Sequence, residues 1–165
     1  MLYLDLLKDA INRSEKILVG LGESVNNVSK EQFIKFKEFL KNKDYFVIYI
    51  PEVNEYINEV FDEYKLSKAV AEYDKESAIR DENMSDVNRY MKWLTMTVNK
   101  PLVIMEIGAS FANPQILRWP LERIAYINDK SKFVRVNGTL PQVTAEIADK
   151  SMPVLMKPEE FFDTL

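Results

Sequence analysis

The chain contains no cysteine and no histidine in its 165 residues. Without cysteine there is no disulfide, no thiolate metal site and no cysteine nucleophile. Without histidine, the usual general base near neutral pH is missing. Serine–histidine triads and imidazole-ligated zinc are excluded with it. Any catalysis would have to run on a carboxylate, Lys, Tyr or backbone groups. No apolar run approaches the length of a membrane span. The charges spread through "MLYLDLLKDAINRSEK" fit neither a signal peptide nor an anchor. The net charge of -4 gives no support for nucleic-acid or anionic-membrane binding. No repeat, low-complexity tract or linker is visible. These absences lead us to expect a cytoplasmic protein of a single domain.

What is present is the composition of an ordinary globular domain, 47% hydrophobic and 29% charged. Residues 2–14 read as a helix, with Leu4, Leu7, Ala10 and Ile11 on one stripe. "KILVG" reads as a buried strand ending at Gly20, and "YFVIYI" as a second, stopped by Pro51. Between them, Ser29 with Gln32 forms a capping-box pattern ahead of Phe33, Phe36 and Leu40. "EVNEYINEVFDEY" predicts a helix, residues 65–71 a weak strand, and 85–98 a further helix. "PLVIMEIG" is the strongest central-strand signal. Asn113-Pro114 predicts a helix start, with Pro120 kinking or restarting the helix. "KFVRVN" reads as a strand, "PQVTAEIAD" as a helix, "PVLM" as a strand and "PEEFFDTL" as a closing helix. Apolar strands alternating with helices predict a three-layer, Rossmann-like α/β domain with a mainly parallel sheet.

Ligands of such sheets sit at the carboxyl ends of the strands. The loops that matter are therefore 20–29, 51–54, 70–75, 108–113 and 137–140. Gly20-Leu21-Gly22, with Ser24 two residues on, follows a strand as a phosphate loop does, although a tight strand-to-helix turn needs glycine too. Gly108 and Ser110 lie beyond the central strand, with Ser110 a donor for a phosphate. Asn113 is either a donor to a ribose hydroxyl or only a helix cap. Asn137 with Gly138 reads equally as a ribose-facing pair or as an Asn-Gly turn. Glu106 is a carboxylate inside the best buried strand. It is either a catalytic acid or a structural ion pair, with Arg118 as the candidate partner. Glu52 reads as an exposed residue of no role. Trp93, Trp119 and the phenylalanines of the 30–41 helix read as core, and the charges of 72–86 as a solvated surface.

The order of these elements resembles the sirtuin superfamily, in particular its divergent bacterial members. "PLVIMEIGASFANPQILRWPLERI" is similar to the strand, glycine–small–serine loop and helix that sirtuins place against NAD. "FVRVNGT" is similar to the following strand and its adenosine-facing asparagine, and "DAINRSEKILVGLGES" to the first helix, strand and Gly-Ala-Gly-x-Ser loop. The departures are as informative. "VNNVSKEQF" lacks the family's cofactor-loop Gly, Pro, Phe and Arg. "YIPEVNE" stands where the nicotinamide-pocket residues would be. Val70 or Ala71 falls where the catalytic histidine would be, and the zinc module is absent.

The resemblance implies a single sirtuin-like domain over 1–165, without the small zinc-binding domain and without catalytic residues. It implies an adenine-nucleotide site for NAD or ADP-ribose, with no metal, formed by Gly20, Gly22, Ser24, Gly108, Ser110, Asn113 and Asn137. We expect Gly20, Gly22 and Ser24 to face Gly108, Ser110 and Asn137 across one crevice, with Gly22 leaving the space a phosphate needs. No histidine-dependent or zinc-dependent deacetylation is expected. Two alternatives stay open: a carboxylate-dependent NAD or nucleoside glycohydrolase or transferase, and a ligand-free oligomeric scaffold. A homo-oligomer is expected, most simply a dimer through the helix carrying Tyr90, Trp93 and Leu94. Neither a nucleic-acid nor a membrane partner is expected.

Overall fold

A computed structural model describes residues 2–71 and 85–165. The chain runs through α1 (Leu2–Arg13), β1 (Lys16–Leu21), α2 (Lys30–Leu40), β2 (Asp44–Tyr49), α3 (Tyr56–Val60) and β3 (Leu66–Lys68). It continues through α4 (Ser85–Thr95), β4 (Leu102–Ile107), α5 (Arg118–Ile127), β5 (Ser131–Asn137), β6 (Ser151–Leu155) and α6 (Pro158–Asp163). The strands form one six-stranded sheet in the order β3-β2-β1-β4-β5-β6, with every pairing parallel. The order reverses between β1 and β4, which makes their carboxyl ends the topological switch point. Most of the loop at 70–75 and of the charge cluster at 72–86 lies outside the described residues.

Both faces of the sheet are covered, as the unbroken apolar strands require. On one face Ile17, Val19, Val47, Val103, Met105 and Val134 pack under Leu7 and Ile11 of α1, Phe33 and Phe36 of α2, Ile57 of α3 and Phe162 of α6. On the other, Leu18, Phe46, Ile104 and Phe133 pack under Tyr90 of α4 and Leu121 and Ala125 of α5. The result is a three-layer Rossmann-like domain. No helix among the described residues is long and apolar enough to cross a membrane.

Local chemistry explains several boundaries. Ser29 and Gln32 form a full capping box, so α2 starts where the sequence pattern places it. The helix expected over residues 52–64 is shorter, because the Asp62 carboxylate accepts from the Tyr64 amide and turns the chain. Asn113 does not cap a helix: residues 114–117 form turns, and α5 begins at Arg118 with Leu117 at its cap. Pro120 then falls in the first turn, where a missing N–H costs nothing. The helix expected over 141–149 is a 3-10 turn at Ala145–Lys150. The chain before it is held extended by Arg135, which donates from Nη1 to the Gln142 carbonyl at 2.7 Å.

Trp93 lies on Phe46 with ring centroids 5.6 Å apart, and Tyr90 lies on the same ring at 5.5 Å. Both therefore face the sheet, as the reading of Trp93 as a core residue requires. Trp119, expected in the core, is 56% exposed. It sits one residue from the inward-turned Arg118, which rotates it away from the sheet.

Asp44 fastens α4 to the amino end of the sheet. It pairs with Lys16 and accepts from Trp93 Nε1 at 2.9 Å. Partial burial alone would raise its pKa, but the hydrogen bonds from Lys16 and Trp93 outweigh burial and hold the carboxyl below the usual carboxylate range. A depressed folded-state pKa contributes stability above the unfolded value, about 3.9, that is lost as pH falls through the folded value. Asp44→Asn is therefore expected to lower stability at pH 7 and to reduce the loss between pH 4 and pH 3, as read from urea midpoints across that range.

Candidate functional site

Residues Ile48, Gly20, Glu106, Arg135 and Pro153 form one row across the sheet, set by the strand registers. The absence of a side chain at Gly20 is what lets α5 approach. A Cβ there would lie 2.6 Å from Leu121 Cδ1 and 3.0 Å from Leu117 Cδ1. Gly20 is thus a packing residue inside β1 and does not face the loops beyond the strand.

Beside it, Arg135 donates from Nε to Glu106 Oε2 at 2.5 Å and from Nη2 to Glu106 Oε1 at 3.0 Å. The partners are 1% and 0% exposed. Arg135 also reaches Glu122 at 2.7 Å. The partner of Glu106 is therefore Arg135 and not Arg118. Burial pushes the Glu106 carboxyl up, while the Arg135 hydrogen bonds pull the other way. Burial would likewise lower Arg135, but its hydrogen bonds to the Glu106 carboxylate outweigh burial and keep the guanidinium firmly protonated. With both oxygens engaged, Glu106 is a structural group.

At the switch point the two loops are bonded directly to one another. Gly22 N–H donates to the Ile107 carbonyl at 2.9 Å, and Ser24 N–H to the Gly108 carbonyl at 2.8 Å. A Cβ at Gly22 would lie 2.3 Å from Ala109 Cα. Gly22 therefore serves backbone-to-backbone contact, and the expected open crevice between β1 and β4 is a closed seam. Gly108 has φ +73°, a conformation that favours glycine, and a Cβ there would lie 2.9 Å from Pro158 Cγ and 3.2 Å from Ser24 Cβ. Asn54, which sequence reasoning did not single out, clamps the first loop from the other side. Its Nδ2 donates to the Val25 and Val28 carbonyls, both at 2.8 Å.

Asn137 is 6% exposed and holds the ends of three segments together. Its Nδ2 donates to the Ala109 carbonyl at 2.8 Å. Its Oδ1 accepts from the Thr139 and Leu140 amides, each at 2.9 Å, in an Asx turn. Ser110 N–H donates to Glu23 Oε2 at 2.6 Å, and Ser110 Oγ accepts from the Ala112 amide at 3.1 Å. Asn113 lies exposed, away from these groups, its Oδ1 only 3.5 Å from Gln115 Nε2. The fold thus brings Gly22, Ser24, Gly108, Ser110 and Asn137 together and leaves Gly20 and Asn113 outside.

Next to the seam is a polar cavity of about 280 Å³, at the carboxyl end of β5. Ser24, Asn27, Asn137, Thr139, Lys157 and Glu159 are among its walls. Lys157, Asn54 and Glu23 were not found from sequence, because each matters only through a contact with a distant segment. A larger recess of about 480 Å³ opens beside α1 at the amino ends of β4–β6, away from these loops. The strand order, reversing between β1 and β4, defines a doubly wound α/β domain. No protein-family model matches the chain, and no curated protein matches it.

Two substitutions test this geometry. Arg135→Met leaves Glu106 buried without a partner and is expected to cost roughly 3–5 kcal/mol, much of it recovered when Glu106→Gln is added, by denaturant unfolding. Gly22→Val forces the seam apart and is expected to cost at least about 1–3 kcal/mol with no ligand present.

Proposed function

We propose that the chain is a non-catalytic, sirtuin-like binding domain for the phosphate–ribose part of an adenine nucleotide. The observation that carries this reading is the 280 Å³ polar cavity at the carboxyl end of the sheet. It combines one exposed cation, Lys157, with the hydroxyls of Ser24 and Thr139 and the carboxamide of Asn27. A lysine supplies a point charge for a phosphate, and short polar side chains and backbone amides suit ribose hydroxyls. The volume, about 280 Å³, falls just below the range for small-molecule sites, about 300–1,000 Å³. It favours AMP or part of ADP-ribose over the whole of NAD. The closed seam leaves no space for a nicotinamide ring between the loops that follow β1 and β4.

Two facts favour binding without turnover. The chain has no histidine. Glu106, the buried carboxylate that the sequence offers as a catalytic acid, is spent on Arg135. The scaffold reading has less support, because Tyr90 and Trp93 of the helix assigned to it pack inward on Phe46.

In a thermal melt, ADP-ribose and AMP are expected to stabilise the protein no less than NAD, by about 2.7 kcal/mol at 100 times the dissociation constant. Incubation with NAD is expected to release no nicotinamide. Lys157→Glu reverses the one cation in the cavity and is expected to abolish the shift while the unliganded melt stays the same. Absence of a shift with any adenine nucleotide at millimolar concentration would refute the reading, and nicotinamide release would replace it with the hydrolase.

A further inference from the structure

The recess beside α1, at the amino ends of β4–β6, has a polarity of its own. Its volume is about 480 Å³, within the range of small-molecule sites, about 300–1,000 Å³. It exists because the helix that follows β6 is short. α6 has six residues, about 9 Å of helix, and starts at the carboxyl end of β6. β5, with seven residues, is about 23 Å long. On this face the amino-end half of β5 and β6 is therefore left to the flank of α1.

The lining changes character along the strand axis. Val134 and Met152 are register partners on β5 and β6 and belong to the apolar layer under α1. Leu6 and Ala10, one turn apart on α1, wall the recess from the helix side. Two residues before Val134, on the same face of β5, stands Lys132. Its register partner on β4 is Val103, which belongs to that layer too. A strand face that is otherwise apolar thus carries an exposed ammonium group. Lys130, in the turn before β5, joins it in the wall. Neither ammonium group makes an ion pair or a hydrogen bond among the described residues. The other cations at this end are engaged. Arg13 pairs with Asp9, and Lys150 donates to the Ala125 and Asn128 carbonyls. Asp149 is the one remaining carboxylate of the wall, against two free ammonium groups. In a chain of net charge -4, the recess gathers positive charge at its amino end and apolar surface beyond it.

We propose that this recess binds a small amphipathic anion, a medium-chain carboxylate. Its head meets Lys130 and Lys132, and its apolar chain lies between α1 and the Val134–Met152 pair. Burial of the chain supplies most of the affinity, and the lysines supply point charges for the head. A nucleotide does not suit this pattern, because its sugar and phosphates would lie on Leu6, Val134 and Met152 without hydrogen-bond partners. The inference is independent of the nucleotide reading, since the two cavities share no wall residue.

Calorimetry with octanoate, 1-octanol and acetate tests it, the second ligand lacking the charge and the third the chain. Octanoate is expected to bind at least about tenfold more tightly than 1-octanol, the scale of one charge-assisted hydrogen bond, and acetate not at all at the same concentrations. Lys132→Met keeps the apolar stem and removes the charge. It is expected to weaken octanoate about tenfold and to leave 1-octanol unchanged. Leu6→Glu, at a position already 50% exposed, is expected to abolish binding of both, and Lys132→Met carries the test if that variant does not fold. Lys8→Met, at an exposed lysine of α1 outside the recess, should leave octanoate binding unchanged. No octanoate binding at millimolar concentration would overturn the proposal. So would equal affinity for octanoate and 1-octanol, or equal losses in Lys132→Met and Lys8→Met, which would reduce the effect to general charge. A wild-type dimer that Leu6→Glu converts to a monomer in light scattering would assign the recess to a second copy of the chain and overturn it as well.

Discussion

Glu106 and Arg135 face each other on adjacent strands in the middle of the sheet, and the carboxyl-end architecture hangs from that pair. Two opposite charges taken out of water are tolerable only when each hydrogen-bonding group is used. Here the guanidinium meets that demand by reaching three segments at once: Glu106 on β4, Glu122 on α5, and the carbonyl of Gln142 in the loop after β5. The pair therefore orients α5 over the sheet and stops the post-β5 chain from coiling into a helix until Ala145. Its energetic character is that of a constraint. Removing one partner is costly, while the intact pair adds less than its geometry suggests.

The second constraint is steric and lies at the switch point. Open α/β sheets usually leave a crevice where the strand order reverses, and ligands enter it. In this chain the ladder between β1 and β4 continues past the strands through the amides of Gly22 and Ser24. Glycine at position 22 permits that approach, and Asn54 prevents the loop from lifting away. Closing the crevice moves the available polar space sideways, to the edge formed by Ser24, Asn137 and Lys157. Glycine at position 22 here serves the close approach of another loop's backbone.

The candidate site was partly legible. Ser24 and Asn137, which wall the cavity, and Gly108 and Ser110, which lie in the seam beside it, could be picked out because glycine, serine and asparagine after apolar strands carry a local meaning. Glycine at 108 has the positive φ that this meaning requires. Gly20 carried the same signal, but its neighbours from α5 gave it a packing role. Glu23 and Lys157 were illegible because charged residues are common in loops and at helix ends, and Arg118 was singled out only for the wrong partner, Glu106. What distinguishes Glu23 is an amide 87 positions away, and what distinguishes Arg118 is a buried guanidinium bonded to carbonyls, with no carboxylate of the described residues at ion-pair distance.

The sequence by itself determined the layering and the order of elements. Unbroken runs such as 102–107 can only be strands buried on both faces, and the Ser29–Gln32 pair starts α2 through bonds made within four residues. It also determined which chemistries are unavailable, since a chain without histidine or cysteine cannot acquire them by folding. Tertiary structure decided the start of α5, the turn at 145–150, the outward position of Trp119 and the partner of Glu106. Each of those depends on a group 7 to 29 residues distant or on which way a neighbouring side chain is drawn. Local propensities worth a few tenths of a kcal/mol per residue yield to a buried charge that must find its partners.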